Sequence, residues 1–211
     1  MIGGIIFDAF GTILQISQRT NPYLLLFREA RRQGRILAPD KIASAMTMDL
    51  PLDEFGAHLG VTLCSSVRQE LNLAFELELA SIRPYPDALE AIALLQNSGL
   101  RLGICSNLAA PYGGAVKELF PAMDGYAFSY EQGIMKPDPK IYLSVCNQMG
   151  VEPGHYFGSE KVPVMMIGDS PRCDRDGPRA VGIMGLLLSR TGEGKIRDLT
   201  QFAQLVIHQN R

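Results

Sequence analysis

The chain opens on an unbroken apolar run. Ile2-Gly3-Gly4-Ile5-Ile6-Phe7 leads directly to Asp8, and Gly11-Thr12 then turns the chain. A run of this length, rich in β-branched residues and bounded by glycine, predicts a strand buried on both faces. From about residue 16 to residue 82 the pattern changes to helical spacing. Asn21-Pro22 marks a helix start, and residues 23–35 predict a helix. Two shorter helices are expected over 39–50 and 51–60. A longer one over 65–81 carries Val67, Leu71, Ala74, Phe75 and Leu79 near helical spacing. Nothing between 16 and 82 reads as a strand. Pro84-Tyr85-Pro86-Asp87 stiffens the exit.

Beyond residue 84, strands and helices alternate. Helices are expected over 88–97, 112–120, 138–149, 174–181 and 197–208. Strands are expected over 100–105, 126–129, 162–167 and 182–188, with a loop at 134–139. Such alternation implies a parallel sheet with right-handed crossovers. The expected organisation is therefore an α/β core from residues 1–15 and 83–211, interrupted by an all-helical insert at 16–82.

Composition narrows the partners. The 211 residues suffice for one substantial core and a smaller second unit. A net charge of −2 implies no basic surface for nucleic acid. No apolar run is long enough to cross a membrane. Cys64, Cys105, Cys146 and Cys173 are scattered without a C-x-x-C, and no basic leader with a cleavage site precedes the first strand. Both features point to a reduced, cytoplasmic setting. The three histidines form no HExxH, so a zinc site is not expected. Arg28, Arg31, Arg32 and Arg35 read as a solvated helix face ahead of an anion gate. Nothing in the pattern sets the oligomeric state.

Candidate chemistry collects where strands end. In an open parallel sheet, ligands bind beyond the carboxyl ends of the strands, and those ends or the loops beside them hold Asp8, Ser106, Lys136, Asp169 and Asp174. Simpler readings exist for each. Asp8 suits a turn, Ser106-Asn107 a turn or a helix cap, Asp174 a helix N-cap, and Lys136 a solvated loop. Lys136 precedes a proline, which favours extended backbone there. No G-x-S-x-G is present to offer a serine nucleophile, and nothing beside Cys173 marks a reactive thiol.

The ordered set Asp8-Ala9-Phe10-Gly11-Thr12, Cys105-Ser106-Asn107, Lys136-Pro137-Asp138-Pro139 and Gly168-Asp169-Ser170 with Asp174 and Gly177 resembles the haloacid dehalogenase superfamily. The resemblance covers essentially the whole chain. It implies a Rossmann-like doubly wound core with a helical cap at 16–82, acting on a small-molecule substrate. By that resemblance, Asp8 is the nucleophile and a Mg²⁺ ligand. The Phe10 carbonyl and Asp169 are further ligands. Asp174 is a ligand, a water-mediated ligand or the partner of Lys136. Thr12, Ser106, Asn107 and Lys136 are implied to hold substrate oxygens.

Two residues depart from the family's phosphatases or its dehalogenases. Phosphatases of the family usually carry an aspartate two residues after the nucleophile, which protonates the leaving alkoxide. This chain has Phe10, closer to the dehalogenase version of the loop, where halide leaves without a proton. Dehalogenases of this type need no metal and commonly replace the first acid of the last motif by serine. This chain keeps Asp169. The expectation is a Mg²⁺-dependent phosphatase working through an aspartyl-phosphate. The alternatives are a 2-haloacid dehalogenase with an aspartyl-ester, or a catalytically weak binding protein of the same fold.

Overall fold

The computed structural model describes residues 2–154, 164–192 and 194–210. β1 (Gly4–Phe7) is followed by β2 (Leu14–Ile16). Helices α1 (Pro22–Arg32), α2 (Pro39–Ala43), α3 (Leu52–His58) and α4 (Ser65–Ala80) come next, and β3 (Ile82–Pro84) returns. Then come α5 (Pro86–Asn97), β4 (Arg101–Ser106), α6 (Ala110–Leu119), β5 (Gly125–Phe128), α7 (Ser129–Gln132) and α8 (Pro139–Met149). The chain closes with β6 (Val164–Gly168), α9 (Gly177–Arg179), β7 (Met184–Leu187) and α10 (Leu199–Gln209).

Five strands form one parallel sheet in the order β5-β4-β1-β6-β7. Alternate residues of a strand face opposite sides, and β1 feeds two cores this way. Ile5 and Phe7 pack with α5, α6 and α10, through Ala91, Leu95, Val116, Phe202 and Val206. Ile6 packs on the other side with Ile141, Val145 and Met149 of α8. A strand covered on both faces needs apolar residues at every position, which is why the opening run is unbroken. The helices between 22 and 80 gather a third cluster around Leu26, Phe27, Phe55 and Leu71. Tyr23 and Phe75 pack against that cluster and against the α5–α10 side of the sheet.

Several elements differ from the sequence expectation. β2 and β3 pair antiparallel, Ile16 opposite Ile82, so the insert is bounded by a small sheet and its edges are not all-helical. Three-residue strands are too short to show a period. The helix expected over 39–50 stops at Ala43 and tightens into a 3₁₀ turn, Ser44–Met46. The helix expected over 174–181 is a wide π-helical turn, Pro171–Asp176, running into α9. Residues 162 and 163 of the strand expected over 162–167 lie outside the described residues.

Candidate active site

The carboxyl ends of β4, β1 and β6 form the edge that carries the polar residues. Phe7 lies opposite Ile104 on one side and Ile167 on the other. Asp8 extends the ladder by one residue, its N–H donating to the Ile167 carbonyl at 3.0 Å. Ser106, the last residue of β4, donates its Oγ to Asp8 Oδ1 at 3.0 Å. Thr12 is fully buried, and its Oγ1 lies 3.4 Å from Asp8 Oδ2, the weak end of hydrogen bonding.

Lys136 arrives from the loop before α8. Asp138 caps that helix by accepting from Lys140 N–H at 2.9 Å, with Pro139 in the first turn. Asn107 clamps the same loop from β4. Its Oδ1 accepts from Lys136 N–H at 2.7 Å and its Nδ2 donates to the Lys136 carbonyl at 3.0 Å. The Lys136 ammonium donates to Asp8 Oδ1 at 2.7 Å, Asp174 Oδ1 at 2.6 Å and the Cys105 carbonyl at 2.9 Å. All three of its donors are used.

Asp174 is fully buried inside the π-helical turn, its Oδ2 accepting from Ser170 N–H at 2.9 Å. Asp169 follows β6 and is partly covered, with part of its surface open to solvent. Two glycines let these carboxylates close in. Gly11 has a φ of 87°, and a Cβ there would collide with the Asp169 carboxylate. A Cβ on Gly168 would collide with Asp174 in the same way. Asp8, Asp169 and Asp174 each bring an oxygen within 4.8 Å of the others.

Electrostatics follow from this crowding. Burial alone would lower the Lys136 ammonium, but the Asp8 and Asp174 charges outweigh it and hold it above the ordinary lysine range. Burial, then the Asp8 charge, push Asp174 up to about 6 against the pull of Lys136. The same two causes raise Asp169, while Lys136 and Arg19 lower it. Burial pushes the Cys105 thiol up to about 12, so it stays protonated. Three carboxylates thus face one ammonium. Hard oxygen donors in excess of local positive charge are the set that a hard divalent cation takes.

The structure therefore brings Asp8, Thr12, Ser106, Lys136, Asp169 and Asp174 together. Asn107 differs from its expected role: both ends of its amide hold the Lys136 backbone, so it positions the lysine. Asp174 caps no helix; in that turn the Ser170 side chain accepts from Cys173 N–H at 3.2 Å. The Phe10 ring meets Tyr112 edge-on, centroids 5.9 Å apart. Sequence reasoning missed Arg190, which donates to the Thr12 carbonyl at 2.6 Å and to Asp87 at 3.0 Å. It anchors the loop that follows Asp8 from outside. It also missed Arg19, whose charge reaches Asp169. Neither lies in a motif or a periodic stretch.

A family model of haloacid dehalogenase-like hydrolases matches residues 2–182. The chain belongs to this family. Among haloacid dehalogenase-like relatives, the glyceraldehyde 3-phosphate phosphatase of Methanopyrus kandleri is 27% identical over 132 residues. That match spans 59% of this chain and only 50% of the relative's length. The crystal structure of a HAD phosphatase from Thermococcus onnurineus superposes with a TM-score of 0.67 at 23% identity, covering 97% of this chain and 98% of that one. The L-2-haloacid dehalogenase of Xanthobacter autotrophicus superposes with a TM-score of 0.62 at 18% identity, covering 98% of each chain. At these identities the structural likeness is one of fold. Both kinds of haloacid dehalogenase-like hydrolase share the fold, so the choice between them rests on this chain's own site. No helix among the described residues is long and apolar enough to cross a membrane.

Proposed function

We propose that this hydrolase is a Mg²⁺-dependent phosphatase of small phosphorylated molecules, working through an aspartyl-phosphate on Asp8, with residues 16–82 acting as a cap. The observation that carries the proposal is the cluster of Asp8, Asp169 and Asp174 around the Lys136 ammonium. A carboxylate that attacks a phosphoryl group meets repulsion, and a site rich in carboxylates multiplies it. A magnesium ion held by Asp8, Asp169, Asp174 and the Phe10 carbonyl would supply the charge neutralisation that the reaction needs.

The chain's own residues do the rest. Lys136 and Ser106 hold Asp8 Oδ1, which leaves Oδ2 with the more open lone pairs. Attack on phosphorus forms the Asp8–phosphoryl bond and breaks the bond to the leaving oxygen, which departs with the electron pair. Water then attacks phosphorus and breaks its bond to the Asp8 oxygen, which keeps the electron pair and returns as carboxylate, while the water protons leave on the phosphate as dihydrogen phosphate. The Ser106 and Thr12 hydroxyls beside Asp8 turn from the carboxylate to phosphoryl oxygens as charge develops, while the Lys136 ammonium keeps its bonds to Asp8, Asp174 and the Cys105 carbonyl and stabilises that charge through space. Four free cysteines, two of them buried, suit a reduced, cytoplasmic setting.

Phe10 favours a second reading, a dehalogenase that forms an ester on the same Asp8. That chemistry needs neither a proton donor nor a metal, and Asp169 weighs against it. One assay separates them: phosphate release from a panel of esters with and without Mg²⁺, beside halide release from 2-haloacids. Phosphate release that requires Mg²⁺ is expected, and a folded Asp8→Asn variant should lose it. Metal-independent halide release, or near-normal phosphate release in folded Asp8→Asn, would overturn the proposal.

A further inference from the structure

Beside Phe10 lies a cavity of about 260 Å³, just under the ~300 Å³ at which drug-sized ligand pockets begin. Its walls include Phe10, Tyr23, Phe27, Ile42, Met46 and Tyr112. Its deeper polar groups are already spent. Glu78, buried to 5% exposure, accepts from the Tyr112 hydroxyl and from the N–H groups of Thr20 and Asn21, all at 2.7 Å. The Asn107 amide is committed at both ends to Lys136. What stays open is the half-buried Tyr23 hydroxyl, with Arg19 and Asn21 at the exposed rim. A sugar or polyol in this cavity would strip its hydroxyls of water and find few partners. An apolar body loses nothing there.

Phe10 adds an independent constraint. The one carboxylate in the lining is Glu78, already engaged, and Phe10 brings no proton, so the lining protonates no leaving group and the leaving oxygen departs as an anion. Only a weakly basic oxygen does so readily. We infer that the substrate is a phosphate carried on a weakly basic oxygen, aryl or acyl, attached to a compact apolar body that fills the cavity lined by Phe10, Tyr23 and Tyr112. This rests on the phosphatase reading, and Arg19 at the rim suits the incoming phosphate dianion.

Four probes separate the two requirements: phenyl phosphate, acetyl phosphate, 2-phenylethyl phosphate and glycerol 3-phosphate, each with Mg²⁺. Phenyl phosphate should exceed 2-phenylethyl phosphate in kcat/KM by about 10²-fold or more, the lower range of what a positioned acid supplies. The phenylethyl ester should in turn exceed glycerol 3-phosphate, with a lower KM. Equal kcat/KM for glycerol and phenyl phosphates would overturn the substrate class and leave the phosphatase reading intact. Phosphate release from none of the four would overturn the phosphatase reading instead. Calorimetry then reads the cavity alone: phenylphosphonate should bind more tightly than 2,3-dihydroxypropylphosphonate, and equal affinities would overturn the inference.

Discussion

Phe10 is one side chain with two consequences that can be separated. Its ring packs edge-on against Tyr112, a contact worth about 0.5–1.5 kcal/mol beyond area burial. Its side chain also brings no proton to the neighbourhood of Asp8. Phe10→Asp should therefore lower stability and raise activity on esters with basic leaving groups. The expected gain on alkyl phosphates is on the order of 10²-fold, with little change on aryl phosphates. The backbone carbonyl of residue 10 survives the substitution, so Mg²⁺ affinity should change less than turnover. Steady-state kinetics on a series of esters of graded leaving-group pKa checks this. A folded, Mg²⁺-binding Phe10→Asp that gains nothing on any alkyl phosphate would show that another group already supplies the proton. So would a flat leaving-group dependence in the unmodified protein.

Between elements, Glu78 near the end of α4 ties together segments far apart in sequence. Its Oε2 accepts from the N–H groups of Thr20 and Asn21 at the start of α1, where helix donors lack intrahelical partners and an anion is favoured. Its Oε1 accepts from Tyr112 on α6. Ser17 and Ser81 add a bond between the two chain crossings, the Ser17 hydroxyl donating to the Ser81 carbonyl at 3.0 Å. Glu78→Gln keeps the shape and loses one acceptor, so a buried donor goes unpaired at a cost of about 1–3 kcal/mol. At about 2–4 °C per kcal/mol in a chain of this size, Tm should fall by roughly 2–12 °C. Tyr112→Phe should cost less, and the double variant less than the sum. Additive losses would place Glu78 and Tyr112 in separate interactions. This clasp was not legible in the sequence, because Glu76-Leu77-Glu78-Leu79 alternates like a solvated face, and only the fold shows Glu78 turned inward. The central strands were legible, since burial on both faces demands unbroken apolar runs such as Ile5-Ile6-Phe7. The meeting of Asp8, Ser106, Lys136, Asp169 and Asp174 was legible for a related reason: a parallel sheet sends all its strand ends to one edge. Asn107 was read as a substrate contact because nothing local records that Lys136, 29 residues on, takes both ends of its amide. β2 and β3 escaped notice because each holds three residues and draws its stability from its partner.

Across the whole molecule, the carboxyl edge of the sheet concentrates negative charge in a chain whose net charge is only −2. Without a cation the protein holds Asp8, Asp169 and Asp174 within 4.8 Å against one ammonium. That arrangement is a cost to the apo fold. Asp169 is raised by burial and by Asp8, so Asp169→Asn should slightly raise the Tm of the metal-free protein while removing most of its response to Mg²⁺. In the unmodified protein, Mg²⁺ at about 100 times its Kd should add ~2.7 kcal/mol, roughly 5–10 °C in Tm for a chain of this size. The pH dependence has opposite signs in the two states. Asp174 is raised in the fold to about 6 from an ordinary 3.8. Its contribution to apo stability is therefore fully present below about 4 and is lost as pH rises through 6. A metal ion needs the ionised carboxylate, so the Mg²⁺-dependent gain should be full near pH 7.5 and fade as pH falls through 6. Thermal denaturation from pH 5 to 8, with Mg²⁺ and with chelator, reads both trends in one experiment. A Mg²⁺ response that is independent of pH over this range, or that persists unchanged in Asp169→Asn, would mean that the ion binds away from this edge.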